Sequence, residues 1–356
     1  MFSSAIAACR LLVRRTSPII FAITMGTGAI SGLFGVFPYA YHSRPIMILS
    51  LIVYFIDLFL FTLFTILAAT KYICYPKTWV SMFQNPVNSL VSKQSHHFET
   101  MTAMWLLPVV TVIVTGTSGG VIANAFQPHV PHYALMTTVL SAFMVSIGLS
   151  LALMILTIYF MRLVVHGLPA GPAILSVFLP LGPTAQSGLA ISLIGESFHV
   201  LIPLSDPSSS KFMTSVFASQ VIETLCICIS FVLWSLATMW ACYALLAIGT
   251  RLKESIIPFR PSFWGLVFPN CVYANLTIRL AGTFDSTFFR VFGSIYAIAT
   301  LILWICISIR AIWELRLLIV APEISENITC ASNESKIIHF QLPVQASART
   351  SVTQLV

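Results

Sequence analysis

The sequence predicts an all-α, polytopic membrane protein of about eight spanning helices paired as four hairpins, and three observations predict it. The first is composition: 58% of the 356 residues are hydrophobic and 8% charged, with a mean hydropathy of +0.93, where a soluble domain carries about 25% charge. The second is a series of apolar runs about 20 residues long, the length that crosses a bilayer as a helix. The third is an alternation in texture. Four runs carry proline among Gly, Ser and Thr: GTGAISGLFGVFPY (26–39), WLLPVVTVIVTGTSGG (105–120), FLPLGPTAQSG (178–188) and FWGLVFPN (263–270). Each is followed by a longer, smoother run. A proline in mid-span kinks a membrane helix and unpairs a carbonyl, which is tolerated only against protein or a water-filled cavity. The pattern predicts kinked inner helices around a pathway, with Pro38, Pro108, Pro180, Pro183 and Pro269 at the kinks, each backed by a plain outer helix.

In chain order, residues 1–16 (MFSSAIAACRLLVRRT) bear Ser and Arg and no acid. They read as a cytoplasmic arm rather than a mitochondrial transit peptide, because the first span follows at once. The membrane domain, 17–316, holds spans near 17–40, 46–70, 103–124, 134–160, 169–195, 215–249, 262–281 and 287–312. The sixth is longer than one crossing needs. Residues 317–356 are polar and mixed, and are expected to be disordered.

The formal charge of +7 does not point to nucleic acid. Of the 18 basic residues, all but Arg44, Lys211, Arg290 and the intramembrane Arg279 fall on one side of this topology. The positive-inside rule then puts both termini in the cytoplasm. Most of the 8 cysteines lie within spans as small apolar residues; neither a disulfide framework nor a metal site is expected, and no cofactor. Cys226 and Cys228 are too closely spaced for a zinc CxxC. His96 and His97 (HHFE) lack a third ligand nearby. Gly26-Thr27-Gly28 echoes a nucleotide loop, but no strand precedes it. The sequons at Asn327 and Asn333 fall in the cytoplasmic tail and are expected to be unglycosylated.

MGTGAISGLFGVFPY, NPVNSL, MTAMWLLPVV with SGGVIA, FLPLGPTAQSG, and FWGLVFPN followed by FFRVFGSIYA resemble, in order from about residue 20 to 315, the tellurite-resistance/dicarboxylate transporter family. That family takes in fungal sulfite efflux pumps, yeast malic acid permeases, plant slow anion channels and bacterial tellurite-resistance proteins. The resemblance implies ten helices in five hairpins around a central pore, a trimer, and the plasma membrane. Here NPVNSL (85–90) runs into VSKQSHHFETMTAMW with no apolar span between, so one hairpin of the family pattern is missing near 90–95.

Phe268, just before Pro269, matches by resemblance the phenylalanine that plugs the pore in the anion-channel relatives; packing among helices is the bland alternative. Asn275 and Arg279 lie seven and eleven residues further on, close to one face at 3.6 residues per turn. Arg279 would offer a fixed charge to an anion, or snorkel, since an arginine at mid-bilayer costs about 3 kcal/mol. The resemblance implies an uncharged residue there in most relatives. Asp57 and Glu223 are the intramembrane acids that could couple protons, or pair with polar neighbours. Thr27, Ser31, Thr117, Ser118, Thr184 and Gln186 could replace an anion's hydration along the kinked helices, or serve close packing as in Gly28xxxGly32.

No nucleophile and base converge at one depth, so an enzyme is not expected. The expected activity is export of a small anion through a Phe268-gated pore in the lipid bilayer. Sulfite comes first, because FLPLGPTAQSG resembles the sulfite pumps. A C4-dicarboxylate such as malate is the alternative, because FPN resembles the malic acid permease. A shortened, non-transporting form that associates with full-length relatives is the third reading.

Overall fold

The computed structural model describes residues 13, 20–40, 43–76, 101–169, 171–204, 215–254 and 259–320. Among them lie eight α-helices: α1 Phe21–Gly35, α2 Arg44–Cys74, α3 Leu107–Phe126, α4 Pro131–His166, α5 Leu181–Leu201, α6 Val216–Glu254, α7 Val267–Thr283 and α8 Thr287–Val320. No strand occurs among the described residues. Six helical segments are long and apolar enough to cross a membrane; α1 and α7 are shorter. The chain divides into two compact units, Met1–Trp304 and Ile305–Val356. The first holds α1 to α7 and the start of α8; the described part of the second continues α8 to Val320. The arm before residue 13, the NPVNSL and HHFE segments, the hairpin junction near 90–95, both sequons and the tail beyond 320 lie outside the described residues.

Three inner helices share one construction, a 3₁₀ segment followed by an α-helix: Ala103–Leu106 before α3, Gly171–Phe178 before α5 and Pro261–Leu266 before α7. The prolines explain the junction. Pro108 sits in the first two positions of α3, Pro180 is the N-cap residue of α5 with Pro183 in its first turn, and Pro269 is the third residue of α7. A first-turn residue has no intrahelical acceptor for its N–H, so proline costs nothing there and presets φ. The break therefore falls near one end of each inner helix instead of at mid-span. With its 3₁₀ lead-in, α7 spans about 38 Å at 1.5 Å per α residue and 2.0 Å per 3₁₀ residue, enough for a bilayer core.

Pro38 differs from the kink expected of it. It opens a 3₁₀ turn, Pro38–Ala40, beyond the last residue of α1. With no N–H and a ring that crowds the preceding turn, it keeps α1 from resuming rather than bending it.

Inner and outer roles separate by burial. The most apolar stretch of α5 is 78% buried and that of the α3 segment 44%, against 6%, 28% and 17% for α2, α4 and α6. Thirteen of the 17 residues of α7 are buried. The outer helices α2, α4 and α6 pack against the inner helix before them, α8 meets α7 through Tyr296 on Asn270 and Gly293 on Ile278, and the inner helices pack in a row, α3 on α5, α5 on α7 and α7 on α1. Gly188 shows how close this is: a Cβ there would lie 2.7 Å from Leu276 Cδ2 of α7 and 3.3 Å from the Ser230 carbonyl of α6. The row does not close into a ring among the described residues, since α1 and α3 share no comparable face. Thr111, Thr115, Ser118, Val121 and Ile122 of α3 are exposed, as are Gly32 and Gly35 of α1 and Val36 just after it.

Candidate functional site

The rotation of α7 about its own axis decides what it presents. One side is bonded to the outer helices. The Asn270 amide donates to the Leu266 carbonyl at 2.7 Å, and its Oδ1 accepts from Tyr296 Oη of α8 at 2.5 Å. Tyr273 Oη lies 2.8 Å from Thr238 Oγ1 of α6, and Trp234 Nε1 of α6 donates to Thr277 Oγ1 at 2.9 Å. The Trp234 and Tyr273 rings stack with centroids 6.3 Å apart, and Phe289 and Tyr296 each meet one of them edge-on at 4.8 Å. At 100° per residue, Phe268, Asn275 and Arg279 fall within about 40° of one another on the opposite side. From Val267 to Ala281, Asn275 and Arg279 are the two residues that are not buried. An otherwise buried helix thus opens along one stripe.

Phe268 stands at the other end of that stripe, 9% exposed, where three inner helices meet. Two glycines, Gly182 and Gly26, lie at this meeting point. A Cβ at Gly182 of α5 would come 3.8 Å from Phe268 Cε1 and 3.7 Å from Pro269 Cγ, and one at Gly26 of α1 would come 3.0 Å from Val267 Cβ. The ring belongs to the buried apolar cluster that the inner helices share.

Arg279 is not a free charge. Its Nε donates to Ser192 Oγ at 3.1 Å and its Nη2 is ion-paired to Glu196 Oε2, both on α5. Glu196 falls one residue past the fifth span that the apolar pattern predicts (169–195), whereas the helix runs on to Leu201. An acid directly after Gly195 resembles a loop boundary, and the sequence gives no sign that it meets Arg279.

The hydroxyl set divides. Thr27 donates to the Ile23 carbonyl at 2.8 Å and accepts from Trp304 Nε1 at 3.3 Å, so it faces α8. Ser31 and Ser50 exchange hydroxyl-to-carbonyl bonds of 2.9 and 2.8 Å, tying α1 to α2. Thr184 is fully buried and donates to the Pro180 carbonyl at 2.9 Å. Gln186 Nε2 donates to Thr117 Oγ1 at 2.9 Å, joining α5 to α3, while its Oε1 has no partner among the described residues. Ser118 is exposed on the open flank of α3.

The two expected acids sit elsewhere than α7's open stripe. Asp57 of α2 lies against α1, where a Cβ at Gly28 would come 2.8 Å from its Oδ2; its Oδ1 has no hydrogen-bond partner among the described residues. Glu223 of α6 lies 3.2 Å from His199 Nδ1 of α5, each side chain about one-third exposed (32% and 37%). Among the described residues, no three His, Cys, Asp or Glu side chains gather into a metal-sized set, and the six cysteines carry free thiols.

A row of inner helices with polar side chains on an open stripe, backed by long apolar outer helices, is the architecture of a multi-pass membrane protein. The chain belongs to the voltage-dependent anion channel family, whose sequence profile matches residues 15–92 and 89–312. It is 25% identical to the sulfite efflux pump of Arthroderma benhamiae over 348 aligned positions, covering 83% of this chain and 89% of the pump. The same figures hold for the sulfite efflux pump of Trichophyton rubrum. The malic acid transport protein of Schizosaccharomyces pombe is 21% identical over 345 positions, covering 80% of this chain and 75% of the relative. Membership of this family makes the chain an anion transporter or channel.

Proposed function

We propose that the chain exports sulfite or bisulfite along the inner faces of α1, α3, α5 and α7, with Phe268 as the gate. The observation that carries this reading is the placement of Phe268, Asn275 and Arg279 on one face of α7, opposite the side bonded to α6 and α8. A bulky ring where three inner helices meet would block water and ions by dewetting until it swings aside. Polar groups further along the same face then take over part of the anion's hydration. The names of the fungal relatives and the FLPLGPTAQSG stretch favour sulfite; the malic acid transport relative makes a C4-dicarboxylate the alternative. Plasma-membrane residence, cytoplasmic termini and a trimer belong to the same proposal. Asp57 is the candidate for proton coupling, since Glu223 already has His199 beside it.

A second reading has its own support. The family profile matches in two pieces that meet at 89–92. Since 83% of 356 residues is about 295, about 53 of the 348 positions aligned with the Arthroderma benhamiae pump have no residue in this chain, the size of two spanning helices and a loop. The open flanks of α1 and α3 lie at the two ends of the inner row, on either side of that junction in the chain. A chain short of one hairpin would act by associating with full-length relatives. The test is sulfite tolerance in a strain lacking its own exporter, with this chain and with a version carrying the family hairpin after Leu90. Tolerance from the chain as it stands supports export. Tolerance from the restored version alone supports the second reading.

A further inference from the structure

We propose that Glu196 sets the anion affinity of this pathway: a tethered carboxylate that occupies Arg279 at rest and that a transported anion must displace. The proposal rests on the anion-export reading of the same helices. Its basis is the trio at the meeting of α5 and α7. Arg279 donates through Nε to Ser192 and through Nη2 to Glu196, so the one basic group on the open stripe of α7 is already neutralised. The two partners differ in freedom. Ser192 is 5% exposed and fixed in the α5–α7 contact, whereas the Glu196 side chain is 48% exposed. Glu196 can swing away while Ser192 keeps the guanidinium aimed.

The chemistry of exchange follows. A guanidinium presents a planar fork of N–H donors that matches carboxylate and other oxyanion groups alike, so sulfite or a carboxylate can take the place of Glu196 oxygen for oxygen. A group tethered beside its partner acts at an effective concentration in the millimolar range, and an incoming anion must overcome it. Conduction needs that weakening. An arginine left unpaired beside the passage would hold the anion longer and slow its release. With Glu196 present, Arg279 passes from one carboxylate to the anion and back without being left bare. Asn275, one turn away on the same face, is the next polar group along the path.

The test is sulfite flux into liposomes carrying the purified full chain, measured against sulfite concentration for the unaltered protein, Glu196→Gln, Arg279→Gln and the double variant. Glu196→Gln should lower KM about tenfold and lower the maximal flux as well, since release becomes slow. Arg279→Gln should raise KM, and in that background Glu196→Gln should change nothing. Arg279→Lys, which keeps the charge and loses the fork, replaces Arg279→Gln if that variant does not fold. A merely structural ion pair would lower the yield and melting temperature of each variant and leave KM where it was. A second readout is the sulfite concentration that half-maximally raises the melting temperature, which should fall about tenfold in Glu196→Gln. No flux from the unaltered chain, with that melting shift present, would retire export and support the site. Flux with a KM indifferent to Glu196, or equally sensitive with and without Arg279, would overturn the site and leave export standing.

Discussion

Alanine at Gly26 tests the contact that positions α1 beside the gate. A Cβ there would lie 3.0 Å from Val267 Cβ, 3.1 Å from Val267 Cγ1 and 3.9 Å from the Phe268 nitrogen. The obstructing atom is a branch point, and a β-branched residue in a helix has one strongly preferred χ1, so Val267 cannot turn aside. The helices must instead separate by about 0.5 Å to restore ordinary contact, and overpacking of this kind costs about 1–3 kcal/mol. Against that stands a helix-propensity gain of about 1 kcal/mol for alanine over glycine. The net loss is about 0–2 kcal/mol. Gly32, on the same helix, is the matched control: nothing lies within 4 Å of a Cβ there, so Gly32→Ala keeps the propensity gain alone. The two variants should differ by about 1–3 kcal/mol, which separates their melting temperatures by several degrees. Thermal unfolding of the purified protein in detergent, followed by tryptophan fluorescence, reads this directly. Because Val267 precedes Phe268, Gly26→Ala should also raise basal anion leak while Gly32→Ala should not. A Gly26→Ala protein that melts with or above Gly32→Ala would refute the α1–α7 packing described here.

Replacing Trp234 by Phe removes the indole bond to Thr277 and loosens the lock on the back of α7; a loss of about 0.6–1.5 kcal/mol with increased anion leak is expected in melting and flux assays. Gln186→Leu removes one bond to Thr117, but that hydroxyl still has the Ile113 carbonyl as acceptor, and the substitution deletes an unpartnered buried oxygen. Its melting temperature should therefore stay within the equivalent of about 1 kcal/mol, with any larger effect confined to flux. Asn327 and Asn333 should carry no glycan when the protein is made in a eukaryotic cell, read as no shift in gel mobility on endoglycosidase treatment. A shift would reverse the orientation derived from the basic residues.

The order and pairing of the helices were legible because membrane burial leaves a compositional trace. Proline, glycine and hydroxyl residues gather on α3 and α5, which pack among other helices, and plain apolar residues fill α2, little of which is buried. The face of α7 was legible too, since Phe268, Asn275 and Arg279 stand out at helical spacing. The faces of α1 and α5 were not. Small residues and hydroxyls are spread round both, so no periodic contrast announces that Thr27 turns to Trp304, Ser31 to Ser50, or Thr184 back into its own turn. Pro38 has the same composition around it as the other prolines, yet it follows its helix instead of opening one. The aromatic lock of Trp234, Tyr273, Phe289 and Tyr296 joins three helices across 63 residues of sequence, from 234 to 296. Such a match depends on tertiary register that no single segment encodes.

The gate is tested most directly by anion flux through the purified chain in liposomes, comparing the unaltered protein with Phe268→Ala at equal reconstitution. Phe268→Ala should raise sulfite flux several-fold in the absence of any activating condition, with a melting temperature showing that the protein remains folded. Equal flux from the two folded proteins, or none from either while a version with the hairpin restored after Leu90 conducts, would contradict a Phe268-gated pathway in this chain.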